Sequence, residues 1–189
     1  MVSEKEKRLT AYHEAGHAIT TYFSETQDPV HEVSIIPRGM AGGYTLSLPE
    51  HDKSYRQRGE MREEIVVLLA GRVAEKLVLD DISTGASNDI EQATKLARAM
   101  ITRYGMSEQF GMVALETVNN QYLGGDTSLA CSADTAKAID DEVIRIVKEQ
   151  YNKAMTILRE NAAKLNELSE YLLDKETITG EEFMEILNG

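Results

Sequence analysis

A long stretch near the C-terminus lacks both residues that most often interrupt a helix. From Ala133 to Asp174 the chain contains neither glycine nor proline. Apolar residues recur through it at steps of three and four, which is the period of an amphipathic helix. They are Ile139, Val143, Ile146, Ala154, Leu158, Leu165, Leu168 and Leu172. We expect a hairpin of two packed helices that breaks near Asn161, rather than one rod.

The same period, together with capping signals, predicts helices elsewhere. The segments run from about Glu4 to Ser24, from about Arg58 to Leu79, from near Asn88 to Tyr104, and from Thr179 through Leu187. Asn88 and Glu91 have the spacing of a capping box, in which the first side chain and the later carboxylate satisfy free N–H groups at a helix start. Thr179 and Glu182 repeat this signal.

Two stretches near the N-terminus have the pattern of β-strands. Val30–Ile36 and Gly43–Leu48 carry alternating or β-branched residues, and Pro37–Gly43 between them holds three glycines, as a hairpin connection would. We therefore predict a mainly α fold with a small two- to three-stranded sheet near the N-terminus and a C-terminal helical hairpin. Residues 1–132 would form the core, and residues 133–189 a helical part packed on the same domain.

Composition excludes several classes of function. The net charge of −12 would repel nucleic-acid phosphates. The single cysteine, Cys131, allows no internal disulfide and suits a reducing compartment such as the cytoplasm. The longest apolar run, Ile65–Ala70, is far shorter than the roughly 20 residues of a membrane helix, so we expect a soluble segment without direct membrane contact. No Gly-Lys pair occurs, so we expect no P-loop ATP site in this chain.

The first predicted helix carries an HExxH motif formed by His13, Glu14 and His17. At about 100° per residue, the two histidines lie about 40° apart around the helix and can direct imidazole nitrogens at one ion. Glu14 lies beside them, where its carboxylate can take a proton from a zinc-activated water. Gly16 costs a helix interior about 1 kcal/mol relative to alanine, which suggests that another element packs closely against this turn. The motif therefore indicates a zinc peptidase site.

A chance pattern on a helix is the alternative to a metal site, and the motif alone does not exclude it. The other two histidines, His31 and His51, have no ligand-like spacing, and we interpret them as surface or structural residues. A catalytic zinc also needs a third protein ligand. Thr20 and Phe23 stand where an HExxHxxGxxH site has glycine and histidine, so this ligand must be a carboxylate further along. The candidates include Glu63, Glu64, Glu75, Asp80, Asp81 and Asp89, and periodicity does not choose among them.

Several sequence blocks in a fixed order resemble the peptidase domain of the FtsH family of ATP-dependent, membrane-anchored zinc proteases. The blocks are Ala11–Ala18 (AYHEAGHA), Val33–Gly39 (VSIIPRG), Gly43–Pro49 (GYTLSLP), Ala70–Glu75 (AGRVAE), Ser83–Thr94 (STGASNDIEQAT) and Lys175–Phe183 (KETITGEEF). The resemblance implies one zinc per chain, with Asp89 as the third ligand beside His13 and His17. Glu75 then has an orienting or packing role, and Asn88, Thr84 and Gly85 shape the turn that presents Asp89.

The resemblance also implies features outside this chain. Family members carry membrane helices and an AAA ATPase domain ahead of the peptidase, on the cytoplasmic side of the membrane. Their peptidase domains form a homo-hexameric ring that receives unfolded polypeptides. A non-catalytic helical assembly module whose HEAGH helix binds no metal is the competing hypothesis, and zinc content discriminates the two.

Two segments are candidates for contact with substrate. An exposed edge at Gly43–Pro49 would hydrogen-bond an extended peptide whatever its side chains, whereas a strand with both edges covered would not. The segment Gly105–Ser132, which we predict to be rich in loops and which contains the Gly124-Gly125 pair, could line or gate a cleft.

Overall fold

A computed structural model describes residues 1–39, 42–118 and 127–189. Most of these residues are helical, which confirms the mainly α fold. The helices are α1 (Glu4–Tyr22), α2 (Arg58–Leu79), α3 (Ser87–Thr102), α4 (Ala133–Glu160), α5 (Ala162–Lys175) and α6 (Gly180–Asn188), with a 3₁₀ helix at Thr84–Ala86. The strands are β1 (Val30–Ser34), β2 (Tyr44–Ser47), β3 (Glu116–Val118), β4 (Thr127–Leu129) and β5 (Thr177–Thr179). None of the described helices is long and apolar enough to cross a membrane.

Helix α1 packs against α2 where small residues meet. A Cβ atom on Gly16 would lie 2.7 Å from the carbonyl oxygen of Ala70 and 2.8 Å from the Cβ of Ala74. Both distances are far inside van der Waals contact, so an approach this close requires glycine. The close packing predicted at Gly16 is confirmed.

Helix α2 lies between two hydrophobic clusters. Val66 and Val73 belong to a cluster shared with α1, β1, α5 and α6. Met61 and Ile65 belong to a second cluster shared with α3 and α4. Helix α4 contributes buried residues to both, so the C-terminal helices are part of the same hydrophobic core as α1 and α2.

The main sheet has the antiparallel order β2-β1-β5. In its register Val33 pairs with Thr45 on one side and with Ile178 on the other. The two- to three-stranded sheet near the N-terminus is confirmed, although its third strand, β5, comes from the far end of the chain and was not predicted. Strand β2 pairs only with β1 among the described residues, so it forms an edge of the sheet.

A second antiparallel pair, β3 with β4, lies within the segment that we predicted to be rich in loops. Thr117 pairs with Ser128 in this ladder. Each strand is only three residues long, and so short a run carries no periodic signal that sequence analysis could detect. Residues 119–126, which include Gly124 and Gly125, lie outside the described residues.

The helix ends in the C-terminal part follow their sequence signals. Asn161 separates α4 from α5, and its backbone N–H donates to the carbonyl oxygen of Ile157. Thr179 and Glu182 form the expected capping box at the start of α6, each side chain accepting from the other residue's backbone N–H. The predicted break near Asn161 and the last short helix are both confirmed.

The predicted capping box at the start of α3 is wrong. Helix α3 begins at Ser87, and its N-cap residue Ala86 makes no side-chain hydrogen bond. The 3₁₀ helix Thr84–Ala86 precedes it, and the Ser83 hydroxyl caps that helix by accepting from the backbone N–H of Gly85. The first turn of α3 thus continues from a preceding helical turn, which leaves no place for a separate side-chain cap.

Candidate metal centre

The middle of α1 carries two histidines that lie side by side. The ring centroids of His13 and His17 are 4.7 Å apart, and their Nε2 atoms are separated by 3.1 Å. Both side chains are buried. The four-residue spacing of the motif therefore brings two imidazole nitrogens to one point, as helix geometry predicts.

The carboxylate of Asp89, from the first turn of α3, faces the same point. Its Oδ2 atom lies 3.1 Å from Nε2 of His13 and 3.2 Å from Nε2 of His17. One possible ligand atom from each residue lies within 4.8 Å of the other two. We refer to His13, His17 and Asp89 as the ligand cluster.

The segment ahead of Asp89 is attached to α2 through Ser83. A side-chain nitrogen of Arg72 donates to the Ser83 carbonyl oxygen at 2.9 Å. The backbone N–H and the hydroxyl of Ser83 donate to Glu75 Oε1, at 3.1 Å and 2.5 Å. These contacts hold the turn that leads into α3, and they therefore locate Asp89 relative to the histidines.

The outer ring nitrogens determine which atoms the histidines can offer to a metal. Nδ1 of His13 lies 2.9 Å from Glu75 Oε2, and Nδ1 of His17 lies 2.6 Å from the carbonyl oxygen of Val67. Carbonyl and ionised carboxylate oxygens only accept, so each Nδ1 carries a proton. Each Nε2 can then present its lone pair to a metal, which is the usual arrangement of metal-binding histidines. The ligand cluster fits a divalent zinc ion.

Glu75, the rival candidate for third ligand, is fully buried on the other side of the His13 ring. Its carboxylate contacts the Nδ1 atom of His13 and the backbone and hydroxyl of Ser83. It therefore contacts a residue of the ligand cluster at the nitrogen that faces away from Asp89. The expectation of an orienting role for Glu75 fits this arrangement.

The charges around His13 favour a cation. Burial by itself would lower the pKa of His13, but hydrogen bonds to Asp89 and Glu75 outweigh burial and raise this pKa to about 10. Burial would raise the pKa of Asp89, yet its contacts with His13 and His17 hold that pKa well below its usual range. The pKa of Glu75 is lowered by His13 and Ser83 against the effect of burial. Two ionised carboxylates thus face the His13 ring.

Close approach of α2 also constrains His13. A Cβ atom on Gly71 would lie 2.5 Å from both Cε1 and Nε2 of the His13 ring and 2.7 Å from its Nδ1. Any side chain at position 71 would therefore occupy the space of the imidazole. Gly71 thus makes room for a residue of the ligand cluster.

Glu14 lies next to the ligand cluster without belonging to it. Its side chain is buried. The hydroxyl of Thr45, on β2, lies 3.0 Å from Glu14 Oε1 and 3.1 Å from the Glu14 carbonyl oxygen. Glu14 therefore sits between the histidine pair and the edge strand of the sheet.

A cavity of about 810 Å³ opens over these residues. Its walls come from α1, from the turn and helix start at 84–89, from α2 and from residues 42–47. The predicted substrate strand thus borders the ligand cluster along an edge of the sheet. None of the described residues of Gly105–Ser132 lines this cavity.

The remaining candidate residues lie elsewhere. Glu63 accepts from the hydroxyl of Thr26, and Glu64 pairs with Arg56. Asp80, Asp81, His31 and His51 are exposed.

Three contacts of the site were missed by sequence analysis. They involve Thr45, the Val67 carbonyl group and Ser83. Each of the three meets a site residue or its partner across a tertiary contact, so helix and strand periods contain no signal for it. Ser83 was part of a block that resembles the FtsH family, but its contact with Glu75 could not be derived from that block.

Comparison with known proteins agrees with this geometry. The profile described as peptidase family M41 matches residues 1–186. The chain is 53% identical over 188 residues to an ATP-dependent zinc metalloprotease FtsH of Caldicellulosiruptor bescii, covering 98% of this chain. It is 52% identical to FtsH 1 of a Thermoanaerobacter species and 45% identical to FtsH of Thermus thermophilus, each alignment covering 100% of this chain. The chain spans only 30%, 31% and 30% of these three relatives, in that order. The resemblance inferred from the sequence blocks is confirmed, and the chain belongs to peptidase family M41.

Proposed function

We propose that this chain is a zinc metalloendopeptidase domain that hydrolyses peptide bonds in unfolded polypeptides. In this proposal His13, His17 and Asp89 hold one zinc ion per chain, and Glu14 is the general base. Membership of a peptidase family supports hydrolysis of peptide bonds, and the relatives named zinc metalloproteases support the choice of metal.

One observation carries the proposal: Nε2 of His13, Nε2 of His17 and Oδ2 of Asp89 converge within hydrogen-bonding distance, beside a buried glutamate. Two imidazoles and a carboxylate form a donor set typical of catalytic zinc, and three protein ligands leave a fourth position open. Zinc bound there would lower the pKa of a water molecule and polarise the carbonyl group of the scissile bond.

Glu14 is placed to transfer a proton from the attacking water to the leaving amine. Its carboxylate borders the cavity and is not one of the proposed ligands. It would accept a proton from the attacking water and deliver it to the amine that leaves. The Thr45 hydroxyl donates a hydrogen bond to this carboxylate.

Strand β2 is suited to holding an extended substrate. It lies at the edge of the sheet and lines the cavity. An unpaired strand edge can hydrogen-bond a peptide backbone whatever the side chains are. This mode of binding would place a polypeptide beside Glu14 and would tolerate many sequences, as cleavage of unfolded chains requires.

The larger protein is part of the proposal because this chain covers less than a third of each relative named above. We propose that the domain works in a membrane-anchored, ATP-dependent protease, on the cytoplasmic side of the membrane. An AAA ATPase domain of the same polypeptide would deliver unfolded substrates to a homo-hexamer of peptidase domains. ATP would bind in that domain and not in this chain.

Zinc content and the Glu14→Gln variant test the proposal. Protein purified without added metal is expected to contain about one zinc per chain, and Glu14→Gln should keep this zinc but cleave no peptide. A stably folded protein without metal would support the non-catalytic assembly module. Full activity of Glu14→Gln would refute the proposed role of Glu14 as general base.

Two matched variants test the third ligand. Asp89→Asn should lose zinc, because it replaces the negatively charged oxygen donor by a neutral amide of the same size. Glu75→Gln should retain zinc with weaker affinity, because its contact is with Nδ1 of His13. If Glu75→Gln lost zinc and Asp89→Asn kept it, the ligand assignment would have to be exchanged.

A further inference from the structure

The hydroxyl of Thr45 is the only polar group in the described structure that hydrogen-bonds to the Glu14 carboxylate. We infer that Thr45 is a positioning residue, which orients this carboxylate toward the ligand cluster and connects it to the strand that binds substrate. The inference rests on the proposed role of Glu14. It adds a residue that belongs neither to the HExxH motif nor to the ligand cluster.

A glutamate at this position needs an orienting contact. Its side chain has several rotatable bonds, and the last torsion, which turns the carboxylate, has only broad preferences. The chain neighbours of Glu14 on α1 do not hydrogen-bond to its carboxylate in the described structure. Without Thr45, no hydrogen bond in the described structure would fix this last torsion.

The position of Thr45 is itself well defined. The residue pairs with Val33 in the sheet, and its β-branched side chain has few χ1 rotamers. The single hydroxyl proton faces two acceptors, Oε1 and the backbone carbonyl oxygen of Glu14, at 3.0 Å and 3.1 Å. The hydroxyl therefore fixes the carboxylate relative to the backbone of α1, which also carries His13 and His17.

Thr45 also lies on the strand that would align the substrate with the proposed base, Glu14. An extended peptide paired with the open edge of β2 would be aligned by the same strand that orients Glu14. A displacement of about 1 Å between reacting groups can cost about 100-fold in rate, so a shared strand would keep the base and the peptide bond in register. Loss of the hydroxyl should then reduce kcat, whereas backbone pairing with substrate, and therefore KM, should change little.

Thr45→Val tests the inference, because valine keeps the shape and the β-branch but removes the hydroxyl. We expect kcat on a short quenched-fluorescence peptide to fall about 10- to 100-fold, with KM within about threefold and zinc content unchanged. Thr45→Ser should restore most of kcat because it restores the hydroxyl. Thr156→Val is the matched control: Thr156 does not line this cavity, and its hydroxyl donates to the carbonyl oxygen of Asn152 within α4, so kcat should stay at the wild-type value.

The outcomes separate this inference from the proposed function. If Glu14→Gln is inactive while Thr45→Val has wild-type kcat, Glu14 remains the base and the role of Thr45 is refuted. If Thr45→Ser is as impaired as Thr45→Val, the hydroxyl is not the cause and the inference also fails. A change confined to KM would make Thr45 a substrate contact instead. Should Thr45→Val not fold, Thr45→Ala compared with Thr45→Ser makes the same test.

Discussion

Replacing Gly71 with alanine would make the added methyl group clash with the His13 ring. The added Cβ would lie 2.5 Å from ring atoms, whereas carbon and nitrogen atoms in contact are normally about 3.5 Å apart. The ring would therefore have to retreat by about 1 Å. Its Nδ1 atom is held by Glu75 and its Nε2 atom faces Asp89, so a retreat of this size breaks at least one of these contacts.

We expect the Gly71→Ala variant to bind zinc about 10- to 100-fold more weakly than the wild type, a loss similar to that of removing a partner of a metal-binding histidine. In free energy this is about 1.4 to 2.8 kcal/mol. Competition with a chromogenic chelator measures the affinity directly, at a pH where the wild-type protein is loaded. Circular dichroism should show that the variant keeps its helical content.

Gly59→Ala is the matched control on the same helix. A Cβ atom on Gly59 would meet nothing within 4 Å, so the substitution adds only helix propensity. Its zinc affinity should equal that of the wild type. If Gly71→Ala also bound zinc with wild-type affinity, then the close approach of α2 would not constrain His13, and our explanation of this glycine would be wrong.

Other variants and conditions test separate parts of the structure. Gly16→Ala should lower the free energy of unfolding in urea by about 1 to 3 kcal/mol through overpacking against the α2 backbone, while Gly59→Ala should not lower it. Thr179→Ala should cost about 1 kcal/mol in the same assay by removing the cap of α6; an unchanged midpoint would contradict that cap. In metal-free protein the pKa of His13 is raised to about 10, so the stability from its ion pairs is complete below its ordinary pKa and is lost as the pH rises through about 10. Unfolding followed from pH 6 to 11 checks this direction. Zinc binding near pH 8 should release about one proton from His13. Calorimetry in buffers of different ionisation enthalpy measures this proton release, and a binding enthalpy that is the same in all buffers would contradict the prediction.

Local patterns were sufficient for most of the helical structure. The stripe of apolar residues, the break at Asn161 and the capping box at Thr179 depend on neighbours within a few positions, and these interactions are present in any chain with this sequence. The same holds for His13 and His17, whose relative position follows from the pitch of one helix.

The third strand of the sheet could not be predicted from local patterns. Strand β5 is three residues long and exists through its pairing with β1, which lies at the opposite end of the chain. Its partner is chosen by the packing of α5 and α6 on the core, not by any pattern in its own sequence. The pair β3 and β4 was missed because each strand is only three residues long.

The sequence by itself determined the two histidines and the glutamate that follows the first of them, because a single helix sets their spacing. Only the tertiary structure decided which carboxylate faces the histidines. Packing of α1 on α2 through glycine, and attachment of Ser83 to α2, bring Asp89 to the two histidines and leave Glu75 on the far side of His13. Contacts between residues so far apart in the chain depend on how whole helices pack, and no local period encodes that packing.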